Sequence, residues 1–184
     1  MRRTRSVRPV RPVRRGFTLV EILVVVVILG IASAVIVPRI GNSNDLKAAA
    51  AARLVMADLI YAQNRAIAMQ QMHYVKFDLG TTKSYKILTK FTSPETIVTH
   101  PVTKNNYVVT FGTNGTPGLQ NCTLESTTAF DSQVTVAFDE LGQPYSVNGT
   151  GTATIMTSGQ VKVGCGTYTL TITIEPYTGE LTIQ

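Results

Sequence analysis

Glu21 is the one charge in a 21-residue, largely apolar run from Phe17 to Val37. A carboxylate within hydrocarbon costs a few kcal/mol, about 2.5–3.5 for Asp on insertion scales, so a partner for it has to be sought. One would exist if the chain were cut after Gly16. Phe17 would then carry a free α-amine four residues before Glu21, and an amine of pKa ~7.7–8 is largely cationic at neutral pH. The pair could form within one chain or between neighbours, where it would set their register. The other reading is a Glu that snorkels near the membrane edge without a partner. Cys122 and Cys165 are a disulfide candidate if their half of the chain is exported; otherwise they are two partly buried thiols.

Little else points to chemistry. His73 opens a predicted strand and His100 precedes Pro101 in a predicted loop. Neither has cysteines or carboxylates at metal-ligand spacing. No nucleophile motif or phosphate loop is present. Asp139-Glu140 could contribute to a calcium loop, but two acids before Leu-Gly-Gln-Pro read more simply as a solvated turn. Three Asn-x-Thr triplets, at Asn114, Asn121 and Asn148, fall in turn-rich sequence and carry little weight. The sequence predicts no metal, no cofactor and no enzyme.

The elements around Glu21 are sharply divided. Residues 1–16 are rich in Arg and Pro and carry seven arginines; the net charge of the whole chain is +6. Without them ten basic residues face eleven acidic ones, so the basic character belongs to the N-terminal segment. The run 17–37 would be about 31 Å long as a helix, one hydrocarbon core, with the arginines holding its N-terminal side in the cytoplasm. A conventional secretory signal has a shorter core ended by a small-x-small site. Ala32-Ser33-Ala34 mimics such a site, but more apolar residues follow it.

Pro38 and Gly41-Asn42-Ser43-Asn44 predict a bend near 38–43. Residues 38–71 are then read as a kinked continuation of the helix, with Asp45 as a cap and Leu46, Ala50, Leu54, Ala57, Tyr61 and Ala68 on the buried face. From residue 72 the period changes to two. About eight mostly antiparallel strands are expected over 72–184, packed on the second half of the helix. The fold class is α+β: a long N-terminal transmembrane helix and a β-rich globular head.

Arg15-Gly16-Phe17-Thr18-Leu19-Val20-Glu21 with the span behind it resembles the cleavage and methylation motif of type IV prepilins and type II secretion pseudopilins. The resemblance implies that a prepilin peptidase cuts after Gly16 and methylates Phe17, and that Glu21 serves subunit assembly. Residues 1–16 would be the leader. Implied partners are that peptidase, other pilins or pseudopilins, the inner-membrane assembly platform and the lipid bilayer. The head would be periplasmic on a single-pass inner-membrane anchor, and on a filament after assembly. Gly30 and Ala34 would permit close helix approach.

The head resembles minor pseudopilins of the GspH/FimT type in scattered pieces: Leu59 to Ala66, Phe138-Asp-Glu-Leu-Gly-Gln-Pro144, and Thr178-Gly179 before the last strand. A structural subunit of a type II secretion system or type IV pilus is therefore expected. The alternative is a FimT-like minor pilin that binds DNA. Its Gly-Arg-x-Arg motif would fall on Gly179-Glu180-Leu181-Thr182, which lacks both arginines. Residues 72–184 hold six lysines against eight acids, leaving only a local patch from Lys83, Lys86 and Lys90. Nucleic acid is not an expected partner.

Overall fold

The computed structural model describes residues 16–40, 44–125 and 130–184, with side chains given only as far as Ser33 in the first stretch. The chain divides into two units, Met1–Asn42 and Ser43–Gln184. In the first, α1 spans Leu19–Ile40. Among the described residues, no helix is long and apolar enough to cross a membrane. Pro38 lies within α1; of the bend expected over 38–43, residues 41–43 fall outside the described residues.

The second unit opens with α2, Asn44–Met69. Asp45 lies in its first turn. Its buried positions include Ala48, Ala51, Ala52, Val55, Leu59, Ala62 and Ala66, the i, i+3, i+4, i+7 spacing of one helix face. This corrects the face expected from sequence. Leu46 is 70% exposed and Leu54 37%. The cause is the alanine run, whose period fits more than one face. The small side chains turn inward and let the strands approach, while both leucines stay outside. α2 ends in a Schellman turn: Gln71 N–H donates to Ala66 O and Gln70 N–H to Ile67 O, with Gln70 at φ 50° in the left-handed C′ position.

Among the described residues eleven strands follow: β1 His73–Asp78, β2 Ser84–Lys90, β3 Thr96–Ile97, β4 Val108–Thr110, β5 Cys122–Glu125, β6 Thr135–Phe138, β7 Pro144–Val147, β8 Ala153–Ile155, β9 Gly159–Cys165, β10 Tyr168–Ile174 and β11 Leu181–Ile183. β3, β5 and β7 are not among the strands expected from sequence. The first is only two residues long, the second sits among turn residues, and the third begins on a proline. One sheet runs β3-β2-β1-β6-β7-β8, with β4 also on β2; the other runs β11-β10-β9-β5. Every pair is antiparallel.

Both sheets pack on α2. Phe77, Tyr85, Phe130, Phe138, Leu124, Ile172 and Ile174 close the core against Val55 and Leu59. Alternation within the strands makes this possible: in β1, Val75 and Phe77 are buried, and Lys76 between them points to the other face. A smaller apolar cluster of Leu88, Phe91, Ala137 and Val147 forms separately, with Tyr74 and Tyr145 beside it.

Candidate functional site

At the start of α1, Gly16, Phe17 and Thr18 are outside the helix. The Thr18 hydroxyl accepts the Glu21 N–H at 3.2 Å, and Glu21 Oε2 accepts the Thr18 N–H at 3.4 Å. The Thr18 carbonyl takes the Ile22 N–H. This is a reciprocal capping box, with Thr18 as N-cap and Glu21 at N3. The carboxylate therefore has a partner within its own turn, and the positive end of the helix dipole favours its charge there. Thr-x-x-Glu before an apolar run is the local sequence signal of this arrangement. Phe17, 78% exposed, immediately precedes the cap. Its nitrogen is thus one residue from the amide that Glu21 engages.

Further along α1, the Ser33 hydroxyl donates to the Leu29 and Gly30 carbonyls at 2.8 and 2.9 Å. This satisfies a polar group within an apolar helix. A Cβ on Gly30 would meet nothing within 4 Å; the side chain of Ala34 lies outside the described residues.

In the head, Cys122 on β5 stands directly opposite Cys165 on β9. Their sulfurs are bonded, with the Cα atoms 4.1 Å apart. His73 is 1% exposed, with Nδ1 on the Gln71 carbonyl at 2.8 Å, and burial pushes its pKa down. Among the described residues, its Nε2 and the Nε of Arg65 have no hydrogen-bond partner. His100 Nδ1 accepts the Val102 and Thr103 amides. Among the described residues no cluster suits a metal ion. Asp139 Oδ1 is taken by the Leu141 and Gln143 amides at 2.9 and 2.8 Å, as in a turn.

Three polar centres escaped the sequence reading. Asp58, buried on α2, accepts the Tyr85 hydroxyl at 2.5 Å and the Tyr107 hydroxyl at 2.8 Å. Burial pushes its pKa up, more than the two tyrosines and nearby His100 pull it down. Tyr107 in turn stacks on Tyr61, ring centres 5.4 Å apart, and meets the His100 ring in a tilted contact at 4.5 Å. Asp131 binds two other segments. Its carboxylate accepts the Ser146 hydroxyl, the Thr157 hydroxyl and amide, and the Ser158 amide. Burial raises its pKa, but these bonds together hold it below the usual carboxylate value.

The third is Gln63. Its Nε2 donates to Gly142 O at 2.9 Å and to Gly179 O at 3.3 Å. The three scattered sequence pieces noted above, on α2, in the 138–144 turn and before β11, thus meet at one amide. Both glycines have positive φ, 85° and 69°. A Cβ on Gly179 would fall on Gln63 Nε2 and within 2.6 Å of Gly142 O.

The lysines proposed as a basic patch are partly committed. Lys86 pairs with Glu95, which also binds Lys76 at 2.7 Å. Lys83 Nζ donates to the Leu79 carbonyl.

Compared with known proteins, residues 11–37 match the prokaryotic N-terminal methylation motif. That motif is found in pilin-like proteins and pseudopilins, which are structural subunits rather than enzymes; it implies processing by prepilin peptidase and assembly with other pilins. No curated protein and no solved structure matches the chain.

Proposed function

We propose that this chain is a minor pseudopilin-type structural subunit of a type II secretion system or a type IV pilus. On this reading the leader, 1–16, is removed between Gly16 and Phe17. The apolar run 17–37 anchors the precursor in the inner membrane, with its N-terminal side cytoplasmic and the head periplasmic. Support for an anchor comes from the sequence: a 21-residue run with a single charge. The observation that carries the reading is the motif match at 11–37 on a segment whose Gly16–Phe17 bond precedes the helix cap. A peptidase needs that bond outside helical hydrogen bonding.

Glu21 is proposed to serve assembly by pairing with the Phe17 amine of its own or a neighbouring subunit. The DNA-binding alternative is disfavoured by the charge of the head, where residues 72–184 hold six lysines against eight acids, and by the missing arginines at Gly179-Glu180-Leu181-Thr182. Mass spectrometry of the mature chain, co-expressed with a prepilin peptidase, tests the proposal. The expected N-terminus is Phe17, methylated. A mature chain that begins after Ala32 or Ala34 overturns it.

A further inference from the structure

The large sheet turns Val75, Phe77, Tyr85 and Ile87 into the core. Lys76 on β1 and its cross-strand partner Lys86 on β2 therefore stand on the opposite face. The chain covers part of that face itself, where Phe91 packs with Leu88, Ala137 and Val147. Beside this cover the face is open. Leu79, Ile97, Val108 and Val134 line a hollow of about 730 Å³ together with the two lysines. Small-molecule sites span about 300–1,000 Å³. Val108 and Val134 are 44% and 43% exposed.

Glu95, just before β3, reaches the lysine pair. One carboxylate oxygen meets Lys76 Nζ at 2.7 Å and the other meets Lys86 Nζ. Lys76 Nζ also lies 5.0 Å from the centre of the Phe91 ring, within cation–π range. Burial raises the Glu95 pKa, but the two ammonium groups together hold it below the usual carboxylate value. The three charges sum to +1. Of the other charges on this segment, Asp78 Oδ1 accepts the Gly80 amide, Lys83 Nζ donates to the Leu79 carbonyl and Lys90 is exposed. Residues 73–97 thus carry four lysines against two acids, and β4 and Val134 add no charge.

We propose that the lysine pair binds a small molecule carrying one carboxylate on an apolar body, and that Glu95 is its internal competitor. Glu95 shows the fit, because its single carboxylate spans both ammonium groups with one oxygen on each. The surplus positive charge selects an anion. The wall formed by Ile97, Val108 and Val134 takes the apolar body, which Glu95 does not supply. The apparent affinity is lowered by the fraction of time that Glu95 holds the lysines. Nothing in this proposal depends on processing at Gly16.

The test uses the full chain in lipid nanodiscs, with isoleucine and valine methyls labelled for NMR and phenylbutyrate as the probe. Saturable shifts are expected at Ile97, Val108 and Val134, and phenylbutanol, which lacks the charge, binds more weakly. Lys76→Met and Lys86→Met each weaken phenylbutyrate binding roughly three- to tenfold, the loss of one charge-assisted bond at a partly exposed site. Glu95→Gln tightens it roughly two- to fivefold, the range an exposed ion pair supplies. Asp78→Asn removes the same charge from a residue that binds the Gly80 amide instead of the lysines, and tightens it less. The methyls of Ile172 and Ile174, buried in the other sheet, keep their positions in every folded variant. No shift in either wild type or Glu95→Gln overturns the proposal. So does equal binding of phenylbutanol or inorganic phosphate at the same methyls, or indifference to both lysine variants. A Glu95→Gln gain no larger than that of Asp78→Asn also overturns it, since Glu95 would then act only as a distant charge.

Discussion

Glu21 and Thr18 hold each other at the start of α1, each side chain accepting the other's amide, at 3.4 and 3.2 Å. The box separates two roles for Glu21. Glutamine preserves a capping box and alanine does not; neither carries a charge. If the carboxylate is needed to pair with the Phe17 amine, Glu21→Gln and Glu21→Ala both insert into membranes and both lose crosslinking to partner pilins. Membrane fractionation beside crosslinking measures this. Normal assembly of Glu21→Gln would reduce the role of Glu21 to capping.

Asp58→Ala leaves the Tyr85 and Tyr107 hydroxyls without their acceptor. The expected loss is about 2–6 kcal/mol of head stability, since each buried unpaired group costs on the order of 1–3; Asp58→Asn, which keeps one acceptor oxygen, loses less. The pH dependence has a definite sign. Burial raises the Asp58 pKa above 3.8, so the folded state holds this proton more tightly than the unfolded state. Its contribution is fully present below 3.8 and is lost as pH rises through the folded value. Thermal melts at pH 4 to 7 should therefore show wild type gaining on Asp58→Asn as pH falls. A constant difference would contradict the assignment.

Asp131 behaves in the opposite sense. Its folded pKa lies below 3.8, so its stabilisation is present above 3.8 and is lost as pH falls through the folded value. Asp131→Ala should cost roughly 1–3 kcal/mol at neutral pH through the hydrogen bonds from Ser146, Thr157 and Ser158. The variant should lose less stability than wild type on acidification below pH 4. Paired denaturation curves at pH 7 and 3 decide it.

Gly179→Ala should destabilise the head by about 2 kcal/mol or more, because a Cβ meets Gln63 and Gly142 in a left-handed backbone. Gln63→Ala removes one of those clashes along with both hydrogen bonds. The double variant is therefore expected to be more stable than the sum of the two single losses. Strict additivity in a double-mutant cycle would show that the contact is not shared.

The Cys122–Cys165 bond closes a sequence separation of 43, worth ~4 kcal/mol in the chain-entropy model and usually less in practice. Cys122→Ser with Cys165→Ser should lower the melting temperature of the head. Reductant should do the same to wild type and nothing further to the variant. Two thiols that alkylate without prior reduction would refute the bond.

Strands such as His73–Asp78 and Leu181–Ile183 were legible because apolar and polar residues alternate under a half-buried sheet. The buried face of α2 was not, because alanine is nearly neutral between inside and outside; only the sheets decide which alanines turn inward. Asp58 falls at helical spacing with Val55, Leu59 and Ala62, which marks it as buried once the right face is known. Its tyrosines, 27 and 49 residues away, are beyond any local pattern. At the other site the signal is local and complete: Thr18-x-x-Glu21 names the cap.

On the proposed reading, a subunit drawn out of a bilayer would be pulled along its own chain, and the bond between β5 and β9 would then act as a limit on length. Force that reached the head would pass from Cys122 to Cys165 directly. The segment between them could not be paid out, however far its strands came apart. An extended chain spans about 3.3–3.6 Å per residue, so a separation of 43 withholds about 140–155 Å of extension. Stretched singly, the oxidised chain should reach its full length earlier than the reduced one by that distance.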